Sequence, residues 1–230
     1  MRGHAHRGEA GRQVTAPTAP TERGAEVGRR IGVGLMYGLF KPRVLGAWRV
    51  PASGPAILAV NHAHNIDGPM LMGTAPRPVH FLIKKEAFIG PLDPFLRGIG
   101  QVKVDRSTVD RAAIDQAIGV LDGGGVLGIF PEGTRGDGDF ASLRAGLAYF
   151  ALRSGAPIVP VAVLGSTERR GRLIKALPPL RSRVDVVFGD AFEAGDGSGR
   201  RTRTALDEAT VRIQERLTRH LENARRLTGR

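Results

Sequence analysis

Cysteine is absent from the 230 residues, which removes disulfides, thiolate metal sites and a thiol nucleophile together. Aromatic residues are scarce at 5%, with one Trp and two Tyr, so the stacking platforms that single-stranded nucleic acid requires are thin. No apolar run approaches the roughly 20 residues of a spanning helix; the longest near the start, residues 31–40, reads IGVGLMYGLF. The first 26 residues hold Arg, His, Gly, Pro and Glu without the apolar segment of a secretory signal, so a cytoplasmic location is expected. Acidic residues are outnumbered, 22 against 34 basic ones, leaving a net charge of +12. That surplus attracts anions: nucleic acid, an anionic leaflet or a phosphorylated ligand. The basic residues are scattered among glycines with no aromatic interleaving, so no specific nucleic-acid partner is expected. There is no Gly-Lys-Ser/Thr for a phosphate loop, and Gly32, Gly34 and Gly38 miss the dinucleotide spacing.

What is present organises as an α/β chain. Residues 1–26 are too polar and too rich in breakers to order themselves, and are expected to form a flexible basic arm. Residues 27–43 suggest a short helix with an apolar centre between Arg29 and Arg30 at one end and Lys41 and Arg43 at the other. Such a helix either packs on the domain or lies on an anionic leaflet. Residues 44–230 form one domain. Short apolar runs at 56–60, 79–83, 101–104, 126–130, 157–163 and 184–188 alternate with helical or Gly-rich connections, which predicts a mainly parallel or mixed sheet covered by helices. Covering helices are expected over 107–121, with Ser107 as N-cap, over 143–152, and over 204–227, where Leu206, Val211, Ile213, Leu217, Leu221 and Leu227 recur among charges.

Two short blocks follow apolar runs: NHAHNID at residues 61–67 and FPEGTR at 130–135. Ligands of parallel sheets gather at the carboxyl ends of strands, where both blocks fall. His62 has a carboxylate five residues on, and Gly68 and Pro69 force a turn or helix start that brings Asp67 back toward the ring. The pair is either a base with its orienting carboxylate or a capping Asp beside a buried His. In the second block Gly133 permits close backbone approach, Thr134 can donate, and Arg135 offers a planar fork for phosphate. Glu132 binds a hydroxyl, orients Arg135 or caps the turn.

These blocks resemble those of the glycerophospholipid acyltransferases, most closely the 1-acylglycerol-3-phosphate acyltransferases. HAHNID matches the family's H-x-x-x-x-D block and FPEGTR its substrate-binding block. GQVKVDR at 100–106 and IVPVAV at 158–163 resemble two further blocks, and IKKEAF at 83–88 resembles a basic stretch. The resemblance implies that His62 is a general base and Asp67 its partner. It implies that Arg106, Glu132, Gly133, Thr134 and Arg135 shape a glycerol phosphate pocket, with Lys84 or Lys85 as an extra phosphate contact. It further implies an acyl-CoA or acyl-carrier-protein donor, a lysophospholipid acceptor, no cofactor and no metal. The basic flanks of the 27–43 segment lead to the separate expectation of peripheral, salt-sensitive attachment through the Arg29 to Arg43 region to the anionic inner face of the cell membrane. The His-x-His at 62 and 64 also resembles the metal block of the metallo-β-lactamase fold. That block needs Asp at plus four and His at plus five, where this chain has Ile66 and Asp67, and only His80 and His220 remain as ordered distal ligands.

Overall fold

A computed structural model describes residues 19–133, 136–166, 177–195 and 202–230. The elements follow in the order α1 (Glu22–Leu39), β1 (Lys41–Leu45), β2 (Ala56–Val60), α2 (Asp67–Thr74), β3 (Val79–Lys84), α3 (Leu92–Gly98), β4 (Val102–Val104), α4 (Arg111–Asp122), β5 (Val126–Ile129), α5 (Gly146–Ser154), β6 (Ile158–Leu164), β7 (Arg183–Phe188) and α6 (Arg203–Thr228). The seven strands form one sheet in the order β1-β7-β6-β2-β5-β3-β4. All neighbours run parallel except β6 and β7. The expected α/β class with a mixed, mostly parallel sheet under helices is what the chain adopts.

Strand pleat explains why apolar runs without alternation belong here. On β2, Ile57 and Ala59 point to one face and Leu58 and Val60 to the other, and each face has its own core. The first core is closed by α4, α5 and α6, the second by α1 and α2. On α6 the buried stripe is Ala209, Ile213, Leu217, Leu221, Ala224 and Thr228, and each of its large apolar side chains stabilises by about 1.5–3 kcal/mol. Val211 and Leu227, expected on that face, lie off the stripe and are exposed. Thr202 caps the start of α6 through Ala205 N–H, and Gly229 ends it in the left-handed region.

Three expectations are corrected. Helix α1 begins at Glu22, inside the span assigned to the arm, because Thr21 accepts from Gly24 N–H and Gly24, Ala25, Gly28 and Gly32 bury a small-residue stripe. Gly32 and Gly73 let the backbones of α1 and α2 meet: a Cβ on Gly32 would come within 2.9 Å of Gly73 N. Residues 41–43 are not the basic end of that helix but part of β1, an edge strand in register with β7, Arg43 opposite Asp185. The fully buried Asp185 carboxylate sits among Arg43, Arg183 and Arg230 at 2.8, 3.1 and 2.7 Å. Finally, α4 is capped by Asp110, which accepts from Ala113 N–H. Ser107 lies ahead of that cap, its hydroxyl and its N–H both donating to Asp105 Oδ1 at 2.6 and 2.9 Å.

Candidate active site

The pairing of β2 with β5 determines where the two blocks meet. Ala59 is in register with Ile129, so His62 and Glu132 lie at the same distance beyond the last matched pair. Asn61 continues the opposite side of β2 by bonding the main chain of Val163 on β6 with both ends of its amide, at 2.7 and 3.1 Å. The chain at His62 is then held twice, by the second block and by the residue that follows it. The His62 N–H donates to Glu132 Oε1 at 3.2 Å, and its carbonyl accepts from Gly136 N–H at 3.1 Å.

After this anchor the loop curls into α2, and Asp67, fully buried in the first turn, points back into it. One carboxylate oxygen, Oδ2, accepts from Ala63 N–H at 2.9 Å, from His64 N–H at 2.6 Å and from His62 Nδ1 at 3.3 Å. The helix N-terminus favours negative charge there. Since a carboxylate can only accept, Nδ1 carries the proton and Nε2 keeps the free lone pair of a neutral ring. Phe130 lies against the imidazole with ring centroids 4.2 Å apart, so the ring is fixed on its flat side as well as at its edge. The remaining oxygen, Asp67 Oδ1, is buried with no hydrogen-bond partner among the described residues.

His62 faces an apolar cavity of about 480 Å³ between α1, α2, β3 and α3, walled by Ile31, Leu35, Met72, Ile83, Phe95 and Ile99. Arg106 also lines it and donates through Nη1 to the carbonyl of Gly133. That carbonyl is presented by a tight turn with Gly133 at φ 76°, where a Cβ would run into the Arg144 side chain. Burial first, and then the charge of Arg144, push the Arg106 guanidinium below its usual pKa. Burial pushes the Glu132 carboxyl up, opposed by its bond from the His62 amide. In chemical terms the arrangement is a base at the mouth of a hydrocarbon-sized cavity, with guanidinium charge beside it.

Of the residues singled out from sequence, His62, Asp67, Arg106, Glu132 and Gly133 converge. Lys84 lines the cavity. Lys85 lines neither that cavity nor its neighbour, because Asp105 holds its ammonium at 2.6 Å. Thr134 and Arg135 lie outside the described residues. Glu132 grips the main chain of His62, a use the sequence left open. Three residues carried no sequence signal for the places they take: Phe130, Asn61 as a strand clamp, and Arg144, which precedes α5 in no recognisable motif. His64 accepts weakly from Ile66 N–H at 3.4 Å. Among the described residues no three His, Cys, Asp or Glu side chains are grouped to hold a metal ion.

Comparison with known proteins bears on the family and the fold. Residues 41–164 match the family model described as Acyltransferase. A 1-acyl-sn-glycerol-3-phosphate acyltransferase of Bacillus subtilis is 28% identical over 183 residues, covering 79% of this chain and 88% of that protein. One from Limnanthes alba is 33% identical over 142 residues, covering 55% of this chain, which spans about half the length of the plant protein, 50%. In fold, the chain is similar to the crystal structure of the 1-acyl-sn-glycerophosphate acyltransferase from Thermotoga maritima. The TM-score is 0.66 at 24% identity, over 90% of this chain and 79% of that one.

Proposed function

Since the chain belongs to the acyltransferase family, we propose that it moves a fatty acyl group from a thioester donor to the sn-2 hydroxyl of a 1-acylglycerol 3-phosphate, forming phosphatidic acid for phospholipid synthesis. The observation that carries this is the His62–Asp67 pair, set with Nε2 free at the mouth of an apolar cavity and beside Arg106. His62 Nε2 takes the hydroxyl proton as the oxygen attacks the thioester carbonyl; the tetrahedral intermediate collapses, the carbon–sulfur bond breaks, and the imidazolium returns its proton to the departing thiolate. Asp67 stabilises the imidazolium while it exists. No acyl-enzyme is required, consistent with a chain that has no cysteine, and the two substrates supply every atom, so no cofactor enters. Acyl-CoA and acyl-carrier protein both fit as donors. Arg106, with Arg135 of the FPEGTR block, supports an acceptor bearing phosphate.

Membrane attachment is the second part of the proposal. Among the described residues no helix is long and apolar enough to cross a bilayer. Helix α1 exposes Val27, Ile31, Leu35 and Tyr37, and α3 exposes Leu92 and Phe95. Ile31, Leu35 and Phe95 also line the His62 cavity, so its rim is apolar. The basic residues near α1 are largely compensated: Arg29 and Arg30 both bind Glu26, at 2.7 and 2.8 Å, and Arg43 binds Asp185. Peripheral contact with an anionic leaflet therefore rests on this apolar rim together with the overall positive charge, rather than on the helix flanks alone.

The deciding experiment incubates purified protein with labelled acyl-CoA and a panel of acceptors: 1-acylglycerol 3-phosphate, glycerol 3-phosphate and phosphate-diester lysophospholipids. Labelled phosphatidic acid is the expected product. Transfer confined to glycerol 3-phosphate or to a diester acceptor would replace the acceptor, and no transfer to any alcohol would end the proposal.

A further inference from the structure

A second cavity, of about 320 Å³, lies on the opposite face of the sheet from the first. Its walls are apolar: Val104, Ala113, Ile114, Ile129, Leu147 and Phe150, from β4, α4, β5 and α5. Leu82, Arg106 and Phe130 line both cavities, so the two adjoin at the ring that lies against His62. The charged groups around the second cavity are unequally used. Asp105 is occupied by Lys85 and Ser107, and Asp110 caps α4. Arg106 and Arg144 stand close enough that the charge of Arg144 depresses the Arg106 pKa, yet neither forms a salt bridge with a carboxylate among the described residues. Arg106 and Arg144 meet at Gly133, whose carbonyl takes Arg106 Nη1 and whose missing Cβ leaves room for the Arg144 side chain; the Glu86 carboxylate offsets part of their repulsion, and an anion beside both would offset more.

An acceptor of the kind proposed above must present three things at once: a hydroxyl at His62, a phosphate, and a hydrocarbon chain already attached. The donor brings a second chain, whose carbonyl must also reach His62. Two chains need two apolar volumes meeting at the base, and only the first cavity is lined by His62. We propose that the second cavity, between α4, α5 and the end of β5, takes the acyl chain that the acceptor already carries, while Arg106 and Arg144 at its mouth hold the phosphate and the donor chain lies in the first cavity. This rests on the reading of the reaction given above. It adds Arg144 as a phosphate-binding residue and assigns acceptor-chain preference to α4 and α5.

The test is direct binding to the full chain by calorimetry, with 1-decanoylglycerol 3-phosphate below its micellar concentration, glycerol 3-phosphate and decanoyl-CoA as probes. Two substitutions reduce the second cavity. Ile114→Trp enlarges a wall residue, and Gly146→Phe adds a side chain at a lining position where a Cβ meets no atom within 4 Å; Tm of each variant checks that the fold is kept. Each buried methylene is worth about fourfold in affinity, so displacing two should weaken the decanoyl lipid about 15-fold. Glycerol 3-phosphate and decanoyl-CoA should bind as to wild type. Arg144→Ala should weaken glycerol 3-phosphate and the decanoyl lipid by the same factor. The proposal is overturned if both cavity variants bind the lipid as wild type does, if they weaken decanoyl-CoA instead, or if the wild type binds the lipid no better than glycerol 3-phosphate. Binding with the expected pattern but without formation of phosphatidic acid would leave the site standing and remove the reaction.

Discussion

Replacing Asp67 by Asn separates two tasks that a carboxylate beside a histidine usually performs together. In a serine protease triad the same change allows the wrong tautomer and costs about 10⁴ in kcat. Here the geometry forbids that outcome. The Oδ2 position receives N–H bonds from Ala63 and His64 at 2.9 and 2.6 Å, so an amide NH₂ cannot occupy it and the Asn carbonyl oxygen must. The NH₂ then falls where Oδ1 now has no partner among the described residues, and His62 Nδ1 still finds an acceptor at its present 3.3 Å. Tautomer and orientation survive, and what disappears is the negative charge facing the imidazolium. With charge centres about 4–5 Å apart and an effective dielectric near 20, that attraction is about 3–4 kcal/mol for a full charge and about half for a partly transferred proton. The expected loss in kcat is therefore about 10- to 1,000-fold at about 1.4 kcal/mol per factor of ten, with little change in Tm. Asp67→Ala should lose more and also destabilise, since two half-buried amides would lose their acceptor, at about 1 kcal/mol each. The assay is steady-state acyl transfer at saturating donor and acceptor, with Tm recorded for each variant. An unchanged kcat in Asp67→Asn would reduce Asp67 to the cap of its loop, and a loss of 10⁴ or more would mean the ring had turned over; either refutes the reasoning.

Other outcomes follow from neighbouring features. His62→Ala should keep its fold and lose about 10²–10⁴ in kcat, the usual contribution of a general base; near-normal turnover in a folded variant would remove His62 from the mechanism. Asn61→Ala strips two buried bonds from Val163, at about 2–4 kcal/mol in all, and Tm should drop roughly 5–15 °C for a chain of this size; a smaller change would mean that the strand end is held elsewhere. His80 and His220 are both pushed below the ordinary value of 6.5, chiefly by burial, against bonds they donate to the carbonyls of Gly100 and Val187. Below that ordinary value the unfolded chain binds more protons than the folded one, so stability is full above it and is lost as pH falls. Tm should decline on acidification through about pH 6, with a shallower slope in His80→Gln; a Tm independent of pH over that range would contradict it.

Much of this molecule was legible because the controlling interactions are local or periodic. A run such as AILAV, short and apolar at every position, reads as a strand buried on both faces, and β2, β5 and β6 announce themselves in that way, while β3, β4 and β7 do so with polar residues among their apolar ones. The two blocks at strand ends were legible for the same reason, since a polar, Gly-bearing segment after a buried strand must surface where ligands bind. Other assignments depended on partners far along the chain. KPRVL has no apolar alternation, and becomes β1 only because β7 offers it an edge with Asp185 opposite Arg43. The 107–110 stretch offers two capping side chains, and α4 takes the later one, Asp110, while Ser107 binds Asp105. The same Asp105 takes Lys85 away from the site.

By itself, then, the chain's residue order determined the α/β class, the blocks that hold the chemistry and the type of reaction they suit, because buried strands and short motifs are written in adjacent residues. Tertiary structure alone decided that Glu132 grips the His62 main chain, that two amides dictate which oxygen of Asp67 faces the ring, and that Arg144 stands beside Arg106 at the join of two cavities. Those relations are distances between segments remote in sequence, and they exist only once β2, β5 and the helices on both faces have packed.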